Sequence, residues 1–245
     1  MSERNGLLEV IALGPRDAEC AQEGGADRLE LVADMAADGL TPSVRVVREV
    51  LAATDLPVRV MLRDSASFVP GDLDGLRAAA EELTDAGARE FVLGFLTGEG
   101  RVDIAACAAL TAVLPGCAWT FHRAIDHAAD VLAAHAQLAG LGCDTVLAAG
   151  HPAGVEDGFD VLGEIAARSE PPTLLVGGGL REKLVAPLRA AGVRAFHVGS
   201  AVRPAGWEST VDVEAVRHWS ALVHEPALTA SAWPPASGRS GTASS

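Results

Sequence analysis

The chain has no tyrosine and only one lysine, Lys183. The first absence removes a common proton donor. The second excludes a Schiff-base aldolase, because Lys183 falls on a predicted helix rather than at a strand end. No apolar run reaches the roughly 18 residues of a membrane-spanning helix, so no membrane span is expected. The N-terminus, MSERNGLLEV, lacks a basic segment followed by a long apolar one, which argues against a secretory signal. Cys20, Cys107, Cys117 and Cys143 show no CxxC spacing and read as reduced cytoplasmic thiols. The net charge is −14 and no Lys/Arg cluster stands out, so neither nucleic acid nor an anionic membrane is expected as a partner. No HExxH motif fixes a metal site, and the first candidate turn, ALGPRDA, is not GxGxxG.

What is present is a repeat. GADRLELVA from Gly25, GAREFVLG from Gly87, GCDTVLAAG from Gly142 and GVRAFHVGS from Gly192 share one pattern: a glycine, short polar residues, then an apolar run. An alanine-rich stretch of helical periodicity precedes each, as GLRAAAEELTDA precedes Gly87. That is the signature of a helix ending in glycine and leading into a strand. The repeat length suits two strand–helix units rather than one. Four further strand candidates lie between: LLEVIAL at 7–13, PVRVML at 57–62, CAWTF at 117–121 and PPTLLV at 171–176. Eight short apolar strands alternating with helices predict α/β architecture, a single eight-stranded parallel (β/α)8 barrel over residues 1–223. A doubly wound open sheet is the alternative, since strand count alone does not prove closure. The segment 224–245, rich in Ser, Ala, Pro and Gly, is expected to be a disordered tail.

Barrels of this type carry their chemistry at the C-terminal ends of the strands. Polar residues collect there: Glu9, Glu30, Arg63, His122, Arg123, Asp126 and His197. Burying such groups is costly unless they are paired. They therefore form either a catalytic site or a salt-bridged plug of Glu9, Glu30, Arg63 and Arg123. His122 and Arg123 are adjacent and point to opposite faces of a regular strand, so both reach one site only if the strand has already ended. The last two strands end in glycines, Gly177-Gly178-Gly179 and Gly199-Ser200, with Arg181 and Arg203 nearby. These suit backbone cradling of a phosphate or simply a tight turn.

GADRLELVADMAADGLTPS (25–43) with TFHRAID (120–126) resembles the CutC-type copper homeostasis family. The resemblance extends over about residues 7–223 and adds the glycines 177–179 and His197. It implies a cytoplasmic (β/α)8 barrel, a homo-oligomer (dimer or tetramer) and copper as the ligand. Where family members commonly carry cysteines at the barrel mouth, this chain has Ile11, Ala12 and Val32, and the loop after the third strand is cut to Arg63-Asp64-Ser65-Ala66-Ser67. Copper(I) favours thiolates or thioethers. Cys117 and Cys143 precede adjacent strands at the opposite rim and are the metal candidates there, with buried apolar cysteines as the plainer reading. Met61 is expected to pack in a barrel layer and Met35 to approach the mouth. A harder divalent ion would take His122, His197 and a carboxylate.

Two functions follow. One is copper handling of the CutC type. The other is an isomerase or lyase acting on a small anionic molecule, phosphorylated or not, by proton abstraction beside a carbonyl or a lyase step. In it Glu9 or Glu30 is the base, His122 or His197 the acid, and Arg63 and Arg123 hold the anion. A barrel serving only as scaffold is a third reading, and it requires the plug.

Overall fold

The computed structural model describes residues 6–225. Eight strands hydrogen-bond in chain order and close into one parallel barrel, which removes the open-sheet alternative. They are β1 (Leu7–Ala12), β2 (Arg28–Leu31), β3 (Val58–Met61), β4 (Glu90–Leu93), β5 (Ala118–Phe121), β6 (Thr145–Ala148), β7 (Thr173–Val176) and β8 (Ala195–Val198). An α-helix follows each: α1 (Pro15–Gly24), α2 (Val44–Ala53), α3 (Leu73–Asp85), α4 (Ile104–Thr111), α5 (Val131–Leu138), α6 (Phe159–Arg168), α7 (Glu182–Ala190) and α8 (Val213–His224). Among the described residues no helix is long and apolar enough to cross a membrane.

Local chemistry explains the alternation. Asp72, Asp103, Asp130 and Asp212 each accept the backbone N–H three residues on, which starts α3, α4, α5 and α8. At the other end Gly25 adopts φ 90° and donates its N–H to the last turn of α1, in keeping with the repeat. The expected tail lies outside the described residues beyond Glu225. His224 itself ends α8, with Nε2 2.9 Å from Asp27 Oδ2.

Most of the apolar core lies between sheet and helices, where Leu8, Leu29, Leu31, Phe91, Phe121 and Phe196 are fully buried. The barrel interior is built differently. Leu147, Leu175 and Ala195 make one small apolar cluster, and Ile11, Val32, Met61 and Val92 make another. The strand positions between them are charged. Register sets Glu9 beside Arg28 on one side and His197 on the other, and Glu30 beside Arg59. Side chains two apart share a face, so Glu9 and Ile11 both point inward, as do Arg59 and Met61.

The ion pairs inside the barrel are not the expected ones. Arg28 Nε donates to Glu9 Oε2 at 2.5 Å. Arg59 donates to Glu90 at 3.0 Å, to Thr120 Oγ1 at 2.5 Å and to Asp144 at 2.7 Å, bridging β3, β4, β5 and the residue just before β6. Arg63 and Arg123 take no part in this network. The plug of Glu9, Glu30, Arg63 and Arg123 is thus corrected to Glu9 with Arg28, and Arg59 with its own partners.

Arg59→Met leaves Glu90, Asp144 and Thr120 without their common donor. The expected loss is about 3 kcal/mol of unfolding free energy, the low end for a broken buried pair because Glu90 and Asp144 are partly exposed. Arg45→Ala, at an exposed helical pair with Glu49, should cost about 0.5 kcal/mol or less. Urea midpoints of the two variants compare them directly. Equal small shifts would mean that water replaces Arg59 at no cost.

Candidate active site

A cavity of about 490 Å³ opens at the C-terminal end of the strands. Ile11, Val32 and Met61 form an apolar wall, extended by Met35 and Trp207 from the loops above. Met61 therefore faces the cavity and Met35 reaches it. Glu30 and His197 stand on the floor, Arg63, Phe68 and His122 on another side, and Arg123, Gly178, Gly179 and Ser200 at the rim.

The floor is a relay of buried groups. Glu9 is fully buried beneath the cavity and is not part of its lining. Its Oε2 accepts from Arg28, and its Oε1 lies 2.8 Å from His197 Nδ1. Nδ1 therefore carries the proton, since a carboxylate only accepts. The other ring nitrogen, Nε2, lies 3.7 Å from Glu30 Oε2. Glu30 Oε1 is buried and has no hydrogen-bond partner.

These contacts drive two carboxyls apart. Burial pushes Glu9 up, but Arg28, the His197 hydrogen bond and Arg59 outweigh it and hold Glu9 at about 2. Burial dominates at Glu30 and raises it to about 7, against the opposing pull of His197. His197 is raised overall: burial disfavours its charge, but Glu30 and Glu9 together favour it more. Glu9 is a permanent anion, while Glu30 changes charge near neutrality.

His122 directly follows β5. Its Nδ1 accepts the Ala124 N–H at 3.1 Å, and its Nε2 is buried without a partner. Burial first, and then the charge of Arg63, holds the ring near 3, so it is neutral. Arg123 begins the turn that follows, so the strand has already ended, at Phe121, before either residue. The Arg123 guanidinium lies flush on Gly178, where a Cβ would stand 2.5 Å from its Cζ. Asp126 sits behind the wall rather than in the cavity. It accepts the N–H groups of Ala149 and Gly150, both at 2.9 Å, and Arg123 Nε at 2.8 Å. It thereby fixes Arg123 to the end of β6.

Other predicted residues serve packing. Gly177 lies against His197, where a Cβ would come within 2.9 Å of the His197 side chain. Gly199 gives the same clearance to Trp207 and Ile11. Arg203 is no anion donor: it is buried against Asp17 at 2.6 Å and stacks under Trp207. Arg181 pairs with Glu156 on the surface. Cys117 and Cys143 are not in the cavity lining. Burial raises both thiols, Cys143 to about 12, and Cys143 donates to the Thr145 carbonyl.

Glu9, Glu30 and His197 bring their ligand atoms within 4.8 Å of one another, so His122 is not the second imidazole of that set. The set fits a resident metal poorly. Arg28 and the Nδ1 proton of His197 already occupy both oxygens of Glu9. Phe68, His127 and Trp207 line the cavity from loops that carried no motif, and only their position after β3, β5 and β8 marks them.

A sequence model of the CutC family matches residues 7–202. The CutC family protein of Bacteroides fragilis is 34% identical over 200 residues, covering 79% of this chain and 80% of the relative. That of Salmonella typhimurium is 32% identical over 199 residues, covering 80% of each. Among solved structures, the putative copper homeostasis protein CutC of Streptococcus agalactiae superposes with a TM-score of 0.72 at 24% identity, over 79% of this chain and 98% of that one. Phosphoribosyl anthranilate isomerase of Thermococcus kodakaraensis shares the fold at 16% identity and a TM-score of 0.62, over 90% and 100% of the two chains.

Glu30 gives stability a pH dependence. Its folded value of about 7 lies above its ordinary 4.5. The unfolded chain therefore releases this proton first as pH rises, and the stabilisation present below pH 4.5 is gone above 7. His197, also raised, loses its contribution in the same direction at higher pH. Glu30→Gln should therefore gain on the parent between pH 4.5 and 7, by up to about 3 kcal/mol, since a tenfold change in proton affinity is worth about 1.4 kcal/mol. Urea unfolding at stepped pH reads the difference. A constant offset would mean that Glu30 ionises in the fold as it does in water.

Proposed function

The chain belongs to the CutC family, and from that premise we propose that its barrel mouth is an acid–base site for a small anionic molecule. One observation carries the reading: a buried carboxyl, Glu30, keeps an unpartnered oxygen beside a lined cavity and titrates near neutrality. A base works best when its pKa is close to the working pH. Glu30 is thus the proton acceptor. His197 steadies its charge from 3.7 Å, and Glu9 with Arg28 holds the imidazole in place. Arg123, Gly178, Gly179 and Ser200 offer the rim of the cavity to the anionic group. The class of reaction is isomerisation or a lyase step. The site works in the cytoplasm, where the four thiols stay reduced, and in a homo-oligomer as the family resemblance implies.

Copper homeostasis, the role for which the Streptococcus agalactiae protein is named, is the second reading, with copper as cargo. It is favoured by the two thioethers, Met35 and Met61, which face the same cavity as His122, His127 and His197. The thiolates copper(I) prefers are absent there, because Ile11 and Val32 occupy the apolar wall.

Untagged protein purified under reducing conditions separates the two readings. Metal analysis and copper(I) titration come first, then a thermal-shift screen of carboxylated and phosphorylated metabolites. The expected outcome is no stoichiometric copper and a metabolite that raises Tm. Glu30→Gln should still bind that metabolite while turning it over roughly 10²- to 10⁴-fold more slowly. Tight one-to-one copper(I), lost in Met35→Leu/Met61→Leu, would replace the acid–base reading with the copper one.

A further inference from the structure

We propose that Arg63 and His122 form a receptor for a developing oxyanion, so that the substrate is a small carbonyl compound with an abstractable C–H beside the carbonyl. The inference rests on the acid–base reading of Glu30 and adds the chemical class of the substrate. Four arginines are buried among the described residues. Arg28, Arg59 and Arg203 each meet a carboxylate. Arg63 instead donates to main-chain carbonyls: Nη1 to Ala37 at 3.2 Å and Asp38 at 3.1 Å, and Nη2 to Ala66 at 2.7 Å. Carbonyls hold the guanidinium still, and the carboxylates of Asp38 and Asp64 act on it through space without a hydrogen bond or ion pair to it. Its Nε is buried and has no partner, and the side chain lines the cavity.

His122 complements it. The Ala124 N–H occupies Nδ1, so the single proton of the neutral ring sits on Nε2. That N–H is buried and unpartnered, and His122 lines the same cavity. The main chain sets the tautomer, and burial, with the nearby cation second, keeps the ring from charging. His122 is thus a hydrogen-bond donor rather than a proton source. Phe68 covers the pair: its ring lies 5.0 Å from the Arg63 Cζ and 5.9 Å from the His122 ring. An aromatic cover keeps water from both donors, which strengthens what they bind.

Two fixed donors suit one oxygen, or two in a plane. The step balances without a cofactor. The C–H bond beside the carbonyl breaks and its proton goes to Glu30. Its electron pair forms the C=C bond, and the carbonyl π pair moves to oxygen. The Arg63 Nε–H and the His122 Nε2–H receive that oxyanion. Where the abstracted carbon also carries a hydroxyl, its O–H proton passes to the oxyanion, the carbonyl re-forms there, and the proton on Glu30 returns to the former carbonyl carbon, so carbonyl and hydroxyl exchange places.

Oxalate is the probe, because its planar adjacent oxygens imitate such an enolate. In ¹⁵N-labelled protein at neutral pH, His122 should show the Nε2-protonated neutral tautomer, and oxalate should shift its Nε2 resonance and the Nε of Arg63. His122→Asn and Arg63→Lys, each checked for a parent-like melting curve, should weaken oxalate by about tenfold or more. Inorganic phosphate should not compete at this subsite. An Nδ1-protonated or charged ring in the labelled parent overturns the inference even if both variants fail to fold. So does oxalate that leaves the parent unbound, or that binds parent and variants alike. Those failures leave the acid–base reading standing, because the pH slope removed by Glu30→Gln is measured without oxalate.

Discussion

The contact between Arg28 and Glu9 is the constraint on which the site depends. It sits inside a closed barrel, where an isolated carboxylate would be expelled or neutralised. Arg28 keeps Glu9 ionised, and an ionised Glu9 fixes the proton of His197 on Nδ1. With one imidazole nitrogen so engaged, the other faces Glu30. Remove the first pair and the order fails from the bottom up: Glu9 would take a proton, His197 would lose its orientation, and Glu30 would lose its neighbour. A buried pair of this kind adds little net stability against an apolar filling. What it adds here is asymmetry between two glutamates on neighbouring strands, one always charged and one near its midpoint.

The same interior explains why the mouth is poor in soft ligands yet has the elements of a base. Charged residues share the barrel interior with two apolar clusters, and the one of Ile11, Val32, Met61 and Val92 is the upper cap, at the mouth. Ile11 and Val32 in the upper cap shield Glu30 from water and help raise it. Thiols at those places would be more polar and reactive, and would trade that shielding for metal affinity. The two proposed uses of the mouth therefore call for different residues at the same positions, and Ile11 and Val32 suit the carboxyl.

Much of this was legible in the chain. The glycine-led repeats marked strands and helices. Glu9, Glu30 and His197 stood out as polar residues inside apolar strands, and they do meet. Arg28 and Arg59 escaped notice because they lie at the starts of strand runs, away from the catalytic ends. Only closure and register bring them abreast of the acids. Asp126 and Arg203 looked like site residues from their position but are consumed by local partners, the β6 backbone and Asp17. Sequence spacing says where a side chain begins, whereas its hydrogen bonds depend on loops whose course no periodicity records. Phe68 is the clearest case, since nothing in RDSASFVP marks its ring as the cover over Arg63 and His122.

Strand ends and loops hold different parts of the chemistry. Glu9, Glu30 and His197 belong to β1, β2 and β8, three adjacent staves tied by continuous parallel pairing. Proton transfer tolerates little error in distance, and this is the stiffest frame the fold offers. Arg63, Phe68 and Arg123 stand just past β3 and β5, on connections held by main-chain carbonyls and one aspartate. Loops of that kind can accept different anionic ends without disturbing the relay beneath them. On the proposed acid–base reading, a change of substrate would alter the segments after β3 and β5 first. The loop that carries Arg63 and Phe68 lies against the cavity rather than against the relay.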